Sequence, residues 1–215
     1  MLTRLTLAAV LTFAPATLPA QAPAAPAPAT AEKPVPRTVP VALTTSAGTI
    51  TLSLEVERAP ITAANFLRYV DQKRLDGTTI YRAFTYAGDP KTGLIQGGTK
   101  GDPKRVLKPI AHEPTSQTGL SHDDGAISMA RGNPGTANGD FFIILGGMPG
   151  LDANPSAPGD NQGYAVFGHV TGGMEVVRAV AAMERSSTEG VGAMKGQMLA
   201  KPVRILTARR VALPK

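Results

Sequence analysis

Few residues of this chain could do chemistry, and their types narrow what that chemistry is. None of the 215 residues is a cysteine, which excludes thiolate catalysis, disulfides and cysteine-held zinc. His112-Glu113, His122-Asp123-Asp124 and His169 are metal-binding residue types, but no two histidines stand four apart around a glutamate, so no metal site is expected. A serine hydrolase is equally unsupported, because no Gly-x-Ser-x-Gly elbow occurs. What remains is a cation. Ile80, Arg82 and Phe84 alternate, which puts a guanidinium among apolar side chains on one face of a strand. By itself this is either a surface arginine on a half-exposed strand or an arginine bordering a groove. Phe141 and Phe142 are adjacent and in a strand would face opposite ways, so one must leave the core or enter a second apolar site. Gln96 is either a buried, satisfied amide or a neutral donor and acceptor beside such a site.

These residues need elements to hold them. Ile50, Leu52 and Leu54 alternate with Thr51 and Ser53, the period of a strand with one buried face, and Ala47-Gly48 suits a hairpin turn from a strand at Val41 to Thr44. Pro60 fits the first turn of a helix, with Ala63, Phe66, Leu67 and Val70 at helical spacing until Asp76-Gly77 ends it. Met174, Val177, Val180 and Ala181 suggest a second helix after Gly172-Gly173. Further strands are expected at Thr79 to Phe84, Leu94 to Gly97, Ala126 to Ala130, Phe141 to Leu145, Ala165 to Val170 and Val203 to Arg209. Many short strands and two separated helices predict a mainly β protein, a closed or nearly closed antiparallel sheet whose ends the helices cover.

The ends of the chain read differently. Arg4, the apolar run Leu5 to Phe13 and the small residues Leu18-Pro19-Ala20 form a secretory signal peptide over 1–20, too short to span a bilayer as a stable anchor. An Ala/Pro-rich linker over 21–40 cannot bury a core and favours extended conformations. The domain then occupies 41–215. A periplasmic or secreted protein is expected, and the absence of cysteine fits that compartment. The net charge of +6 raises anionic partners. Yet Lys100, Lys104, Arg105 and Lys108 and, near the end, Arg209, Arg210 and Lys215 form no helical stripe and have no interleaved aromatics, so no nucleic-acid reader is expected.

Five blocks occur in one order: Tyr81-Arg82-Ala83, Gln96-Gly97-Gly98, Ile127-Ser128-Met129-Ala130-Arg131, Asn138-Gly139-Asp140-Phe141-Phe142-Ile143 and Gly163-Tyr164-Ala165-Val166-Phe167-Gly168. In this the chain resembles the cyclophilin family over nearly everything after the first forty residues. The resemblance implies a closed eight-stranded antiparallel β-barrel capped by two α-helices, with a groove on its outer face. It also implies a peptidylprolyl cis-trans isomerase that needs no cofactor and acts as a monomer on proline-containing unfolded or extended polypeptides. Rotation about an X-Pro bond breaks no bond but faces a barrier of roughly 18–20 kcal/mol from amide conjugation. A donor directed at the prolyl nitrogen in the twisted state lowers it. By the resemblance Arg82 is that catalyst. Phe142, Leu151 and Leu94 line the proline pocket, Gln96 and Tyr164 position the peptide, and Ala130 and Arg131 meet it through their backbone.

Departures from the family pattern accompany the match. Gly93 stands where an aromatic is usual, and Leu94 where Met is usual. The segment between Arg82 and Gln96 is longer, so Phe84 or Tyr86 is expected to replace the missing wall. Asp140 replaces a usual Gln and puts an acid near the pocket. Gly150 replaces an aromatic that contacts cyclosporin, so weak or no cyclosporin binding is expected. The Pro-, Gly- and Asn-rich loop from Ala153 to Gln162 reads as a mobile flap. A non-catalytic proline-binding chaperone or scaffold on the same fold is the alternative these departures leave open.

Overall fold

The structure, a computed structural model, describes residues 35–212; the signal peptide and most of the linker expected before them lie outside the described residues. Strand β1 (Val39–Thr45) turns through Ser46-Ala47 into β2 (Gly48–Leu54), with the Thr45 hydroxyl accepting from the Ala47 N–H and donating to the Gly48 carbonyl. Alternation places Val41, Leu43, Ile50, Leu52 and Leu54 inside, as their period requires. β1 starts two residues before the expected domain boundary at 41.

Helix α1 (Pro60–Asp71) begins with proline, and the Glu113 carboxylate from a distant loop caps it, accepting from the Ile61 and Thr62 N–H groups at 3.1 and 2.7 Å. An anion there satisfies orphan donors and suits the positive end of the helix. The helix stops at Asp71, earlier than the expected Asp76-Gly77, because Lys73 enters the left-handed region at φ 54°. Phe66 carries the buried face of α1 onto Phe141 and Phe167, with ring centroids 5.5 and 5.2 Å apart.

Six more strands follow, β3 (Thr79–Tyr86), β4 (Asp89–Gly98), β5 (Ala126–Met129), β6 (Asp140–Leu145), β7 (Ala165–Gly172) and β8 (Met198–Arg210), interrupted by the one-turn helix α2 (Thr115–Thr118) and by α3 (Met174–Ala181). All pairings are antiparallel and the sheet closes in the order β1-β2-β7-β5-β6-β4-β3-β8. The eight-stranded barrel and its two longer helices, α1 and α3, are therefore as expected, and among the described residues the one-turn α2 adds a third helix. Four residues of α2, without apolar periodicity, left no sequence signal. One continuous apolar cluster fills the barrel and runs under α1 and α3. A second, smaller cluster of Leu94, Ala126, Phe142, Ile144, Met148 and Val166 sits apart from it.

The alternation read through Ile80, Arg82 and Phe84 needs correction. Ile80 pairs with Gly97 and Arg82 with Gln96, so Tyr81 is an extra residue in β3. This bulge reverses the faces: Ile80 and Ala83 are core residues while Arg82 and Phe84 lie outside. In a regular strand that buries Ile80, the guanidinium would point into the barrel.

Candidate active site

Neighbouring strands β3, β4 and β6 and the segments after β5 and β6 converge on the outer face. Ile143 and Phe141 point inward from β6, and Phe142 between them points out into the smaller cluster. Its ring meets Tyr164 edge-on at 5.3 Å and stacks on His122 at 5.9 Å. Leu94, Met148 and Leu151 join it, and together with Arg82, Phe84, Gln96, Ala130, Arg131 and Tyr164 they surround a cavity of about 460 Å³. A second cavity of about 640 Å³ shares Gln96, Ala130 and Arg131 with the first and adds Tyr81, Lys100 and Asp140.

Arg82 is held through its three nitrogens by two neutral acceptors. Nη1 donates to the Gln96 carbonyl oxygen at 2.6 Å, and Nε and Nη2 both donate to that of Gln197 at 2.9 and 2.7 Å. Burial draws the guanidinium below its ordinary range, yet a guanidinium stays charged at any working pH. Gln96 also donates to the Tyr81 hydroxyl at 2.9 Å, which donates on to Asp140 at 3.3 Å. Burial pushes both Tyr81 and Asp140 up.

Every residue expected at the site except Asp140 lines the 460 Å³ cavity; Asp140 lines its neighbour and is linked to Arg82 through Tyr81 and Gln96. Ala130 commits its N–H to the Asp140 carbonyl. The Arg131 side chain is engaged within the protein: it pairs with Asp160 at 2.9 and 3.0 Å, donates to the Gly132 and Gly163 carbonyls and lies over the Tyr164 ring. It thus ties down the Ala153–Gln162 loop, and holds the Asp160 carboxyl down to about 2. A Cβ on Gly93 would fall on the Phe84 carbonyl oxygen, so this position excludes the usual aromatic, and Phe84 forms the wall. Tyr86 is half exposed and leans on Phe84 with centroids 5.0 Å apart.

Two features had no sequence signal. Gln197, in the turn before β8, is the principal partner of Arg82 but belongs to none of the motif blocks. His122 lies in a row from Asp152 (2.6 Å to Nδ1) to Ser128 (3.0 Å from Nε2), the order of groups in a hydrolytic triad. Ser128 is fully buried, so its hydroxyl meets no substrate, and the row is a prop beneath Phe142.

This outer-face groove is what the family pattern for cyclophilin type peptidyl-prolyl cis-trans isomerases accompanies, and that pattern matches residues 40–210. The chain belongs to that family. Among cyclophilins it is similar to the Streptomyces antibioticus peptidyl-prolyl cis-trans isomerase cyp18, 38% identical over 154 residues, which cover 70% of this chain and 87% of that protein. Peptidyl-prolyl cis-trans isomerase A of Dickeya dadantii is 34% identical over 79% of this chain and 83% of its own length. The crystal structure of a Cryptosporidium parvum cyclophilin type isomerase superposes with a TM-score of 0.66 over 83% of this chain and all of that one, at 20% identity, and shares the cyclophilin barrel.

Proposed function

We propose that this cyclophilin accelerates the cis-trans exchange of X-Pro bonds in extended polypeptides, with Arg82 as its electrostatic catalyst. One observation carries the reading: a guanidinium fixed by two neutral amides opens onto the same cavity as Phe142, Leu94, Met148 and Leu151. The apolar wall receives the pyrrolidine ring. As the amide twists, the nitrogen lone pair leaves conjugation and becomes an acceptor, and Arg82 donates to it. That hydrogen bond is made in the twisted state only, so it lowers the barrier and does not merely tighten binding. Gln96, Tyr164 and the Ala130–Arg131 backbone align the chain on either side of the proline. The Cryptosporidium relative was also crystallised in the presence of the dipeptide Ala-Pro, the substrate class proposed for this groove.

The groove is complete within one chain, which supports a monomeric enzyme. The leader composition supports export, and expression with residues 1–20 intact should deliver a shortened protein to the periplasmic fraction. Catalysis is tested by two-dimensional exchange on an X-Pro peptide. The protein should speed the exchange, and Arg82→Ala should lose on the order of 100-fold while still folded, the scale for one transition-state donor. Peptide binding by the wild-type protein without any acceleration would make it a proline-binding chaperone instead.

A further inference from the structure

The Arg82 fork has five N–H groups, and its amide partners take three of them. Two remain for a substrate, one on each terminal nitrogen. Which two remain is decided mainly by Gln197, whose single carbonyl oxygen spans Nε and Nη2. Gln197 is itself fixed at three points. Its side-chain amide donates to the Ala193 carbonyl at 2.8 Å, which sets the oxygen toward Arg82. Its backbone N–H donates to Met194 and its carbonyl accepts from Ala83, the residue after Arg82, at 3.1 and 3.0 Å. The bulge at Tyr81 turns Arg82 outward, and the turn before β8 returns alongside it as a clamp.

We infer that Gln197 is a positioning residue for catalysis, and that its lack of charge is the reason a glutamine serves there. This rests on the role proposed for Arg82. A carboxylate on the same two nitrogens would hold the fork at least as firmly, because a side-on pair is the preferred geometry of arginine with an acid. It would also cancel the charge the twisted amide needs. A neutral oxygen fixes the guanidinium and leaves its charge for the substrate, and Gln96 does the same from the other side.

The experiment compares wild type, Arg82→Ala, Gln197→Ala and Gln197→Glu by exchange kinetics, peptide affinity and thermal melting. Gln197→Ala should lower kcat about tenfold with KM little changed, since a disordered fork still leaves the apolar pocket intact. The Arg82 Nε–H, which donates to Gln197, should give a resonance protected from solvent exchange in the wild type and broadened in that variant. Gln197→Glu should melt at or above the wild-type temperature and still lose about tenfold in kcat, which a purely structural role does not allow. If Arg82→Ala is inactive but both Gln197 variants stay within roughly twofold of wild type, a difference under about half a kcal/mol, this inference fails and the catalyst assignment stands. If Arg82→Ala keeps the wild-type rate, the catalyst assignment fails and this inference with it.

Discussion

Lowering the pH should weaken this fold through one histidine, by an amount the row beneath Phe142 bounds. His122 is buried between Asp152 and Ser128. Asp152 pulls its pKa upward, but burial is the larger effect and the net displacement is down from 6.5. The neutral ring fits the row, Nδ1–H donating to Asp152 and Nε2 accepting from the Ser128 hydroxyl. A folded pKa below the unfolded one means that the unfolded chain binds more protons, so stability rises with pH. The contribution is fully present above pH 6.5 and is lost as pH falls from there through the folded pKa. One proton limits the slope to about 1.4 kcal/mol per pH unit. Asp71, Asp76 and Asp160, all lowered from 3.8 by arginine partners, lose their contributions only in a more acidic range. Asp140, displaced upward by burial, acts with the opposite sign, so a reference protein is needed. Urea unfolding at several pH values between 7.5 and 5 should therefore be run on wild type and His122→Gln. The gap between the two curves should shrink as pH falls, at up to that slope. Parallel curves, or a wild type that gains on the variant in acid, would show that the buried histidine is not held neutral.

Two further outcomes concern the groove. A pyrrolidine ring presents three methylenes worth about 0.8 kcal/mol each when buried, and Phe142 is roughly half of the wall around them, so Phe142→Ala should lower kcat/KM about tenfold. The loss should fall on KM in saturation kinetics, in contrast to the kcat effects at Arg82 and Gln197. Gly150 lies on an exposed one-turn 3-10 segment, and a Cβ there meets nothing within 4 Å. Gly150→Trp is thus expected to fold normally and to strengthen cyclosporin inhibition by at least about tenfold; unchanged inhibition would mean that another wall limits that ligand.

The strands were legible where the barrel has one wet face and one dry face, as the alternation in Ile50–Leu54 records directly, whereas Phe141–Leu145 is apolar on both faces. The opposed Phe141 and Phe142 announced a second apolar site for the same reason. The bulge at Tyr81 was not legible: one inserted residue leaves composition and alternation intact, and pairing with β4 alone shows that Ile80 and Arg82 face opposite ways. Arg82 was found through its motif block, although the alternation argument for its face was mistaken. Gln197 and the His122 row were invisible because their partners are distant in the chain, 115 residues for Arg82 with Gln197 and 30 for His122 with Asp152. The helix cap at α1 is similar, since Glu113 reaches Thr62 across 51 residues.

Closure of the barrel joins its first strand to its last, Val41 lying opposite Arg210. A ribosome making this chain cannot release a finished fold piece by piece. Until β8 has emerged, β1 and β3 both lack a neighbour, and the core cluster between α1 and the sheet is open on that side. Such long-range pairing slows folding, which under the export proposed above would be a useful delay: translocation machinery that accepts only unfolded polypeptide would meet one that its last barrel strand has yet to complete. The protein proposed to hasten folding in others would then be one whose own folding waits for its last barrel strand, β8.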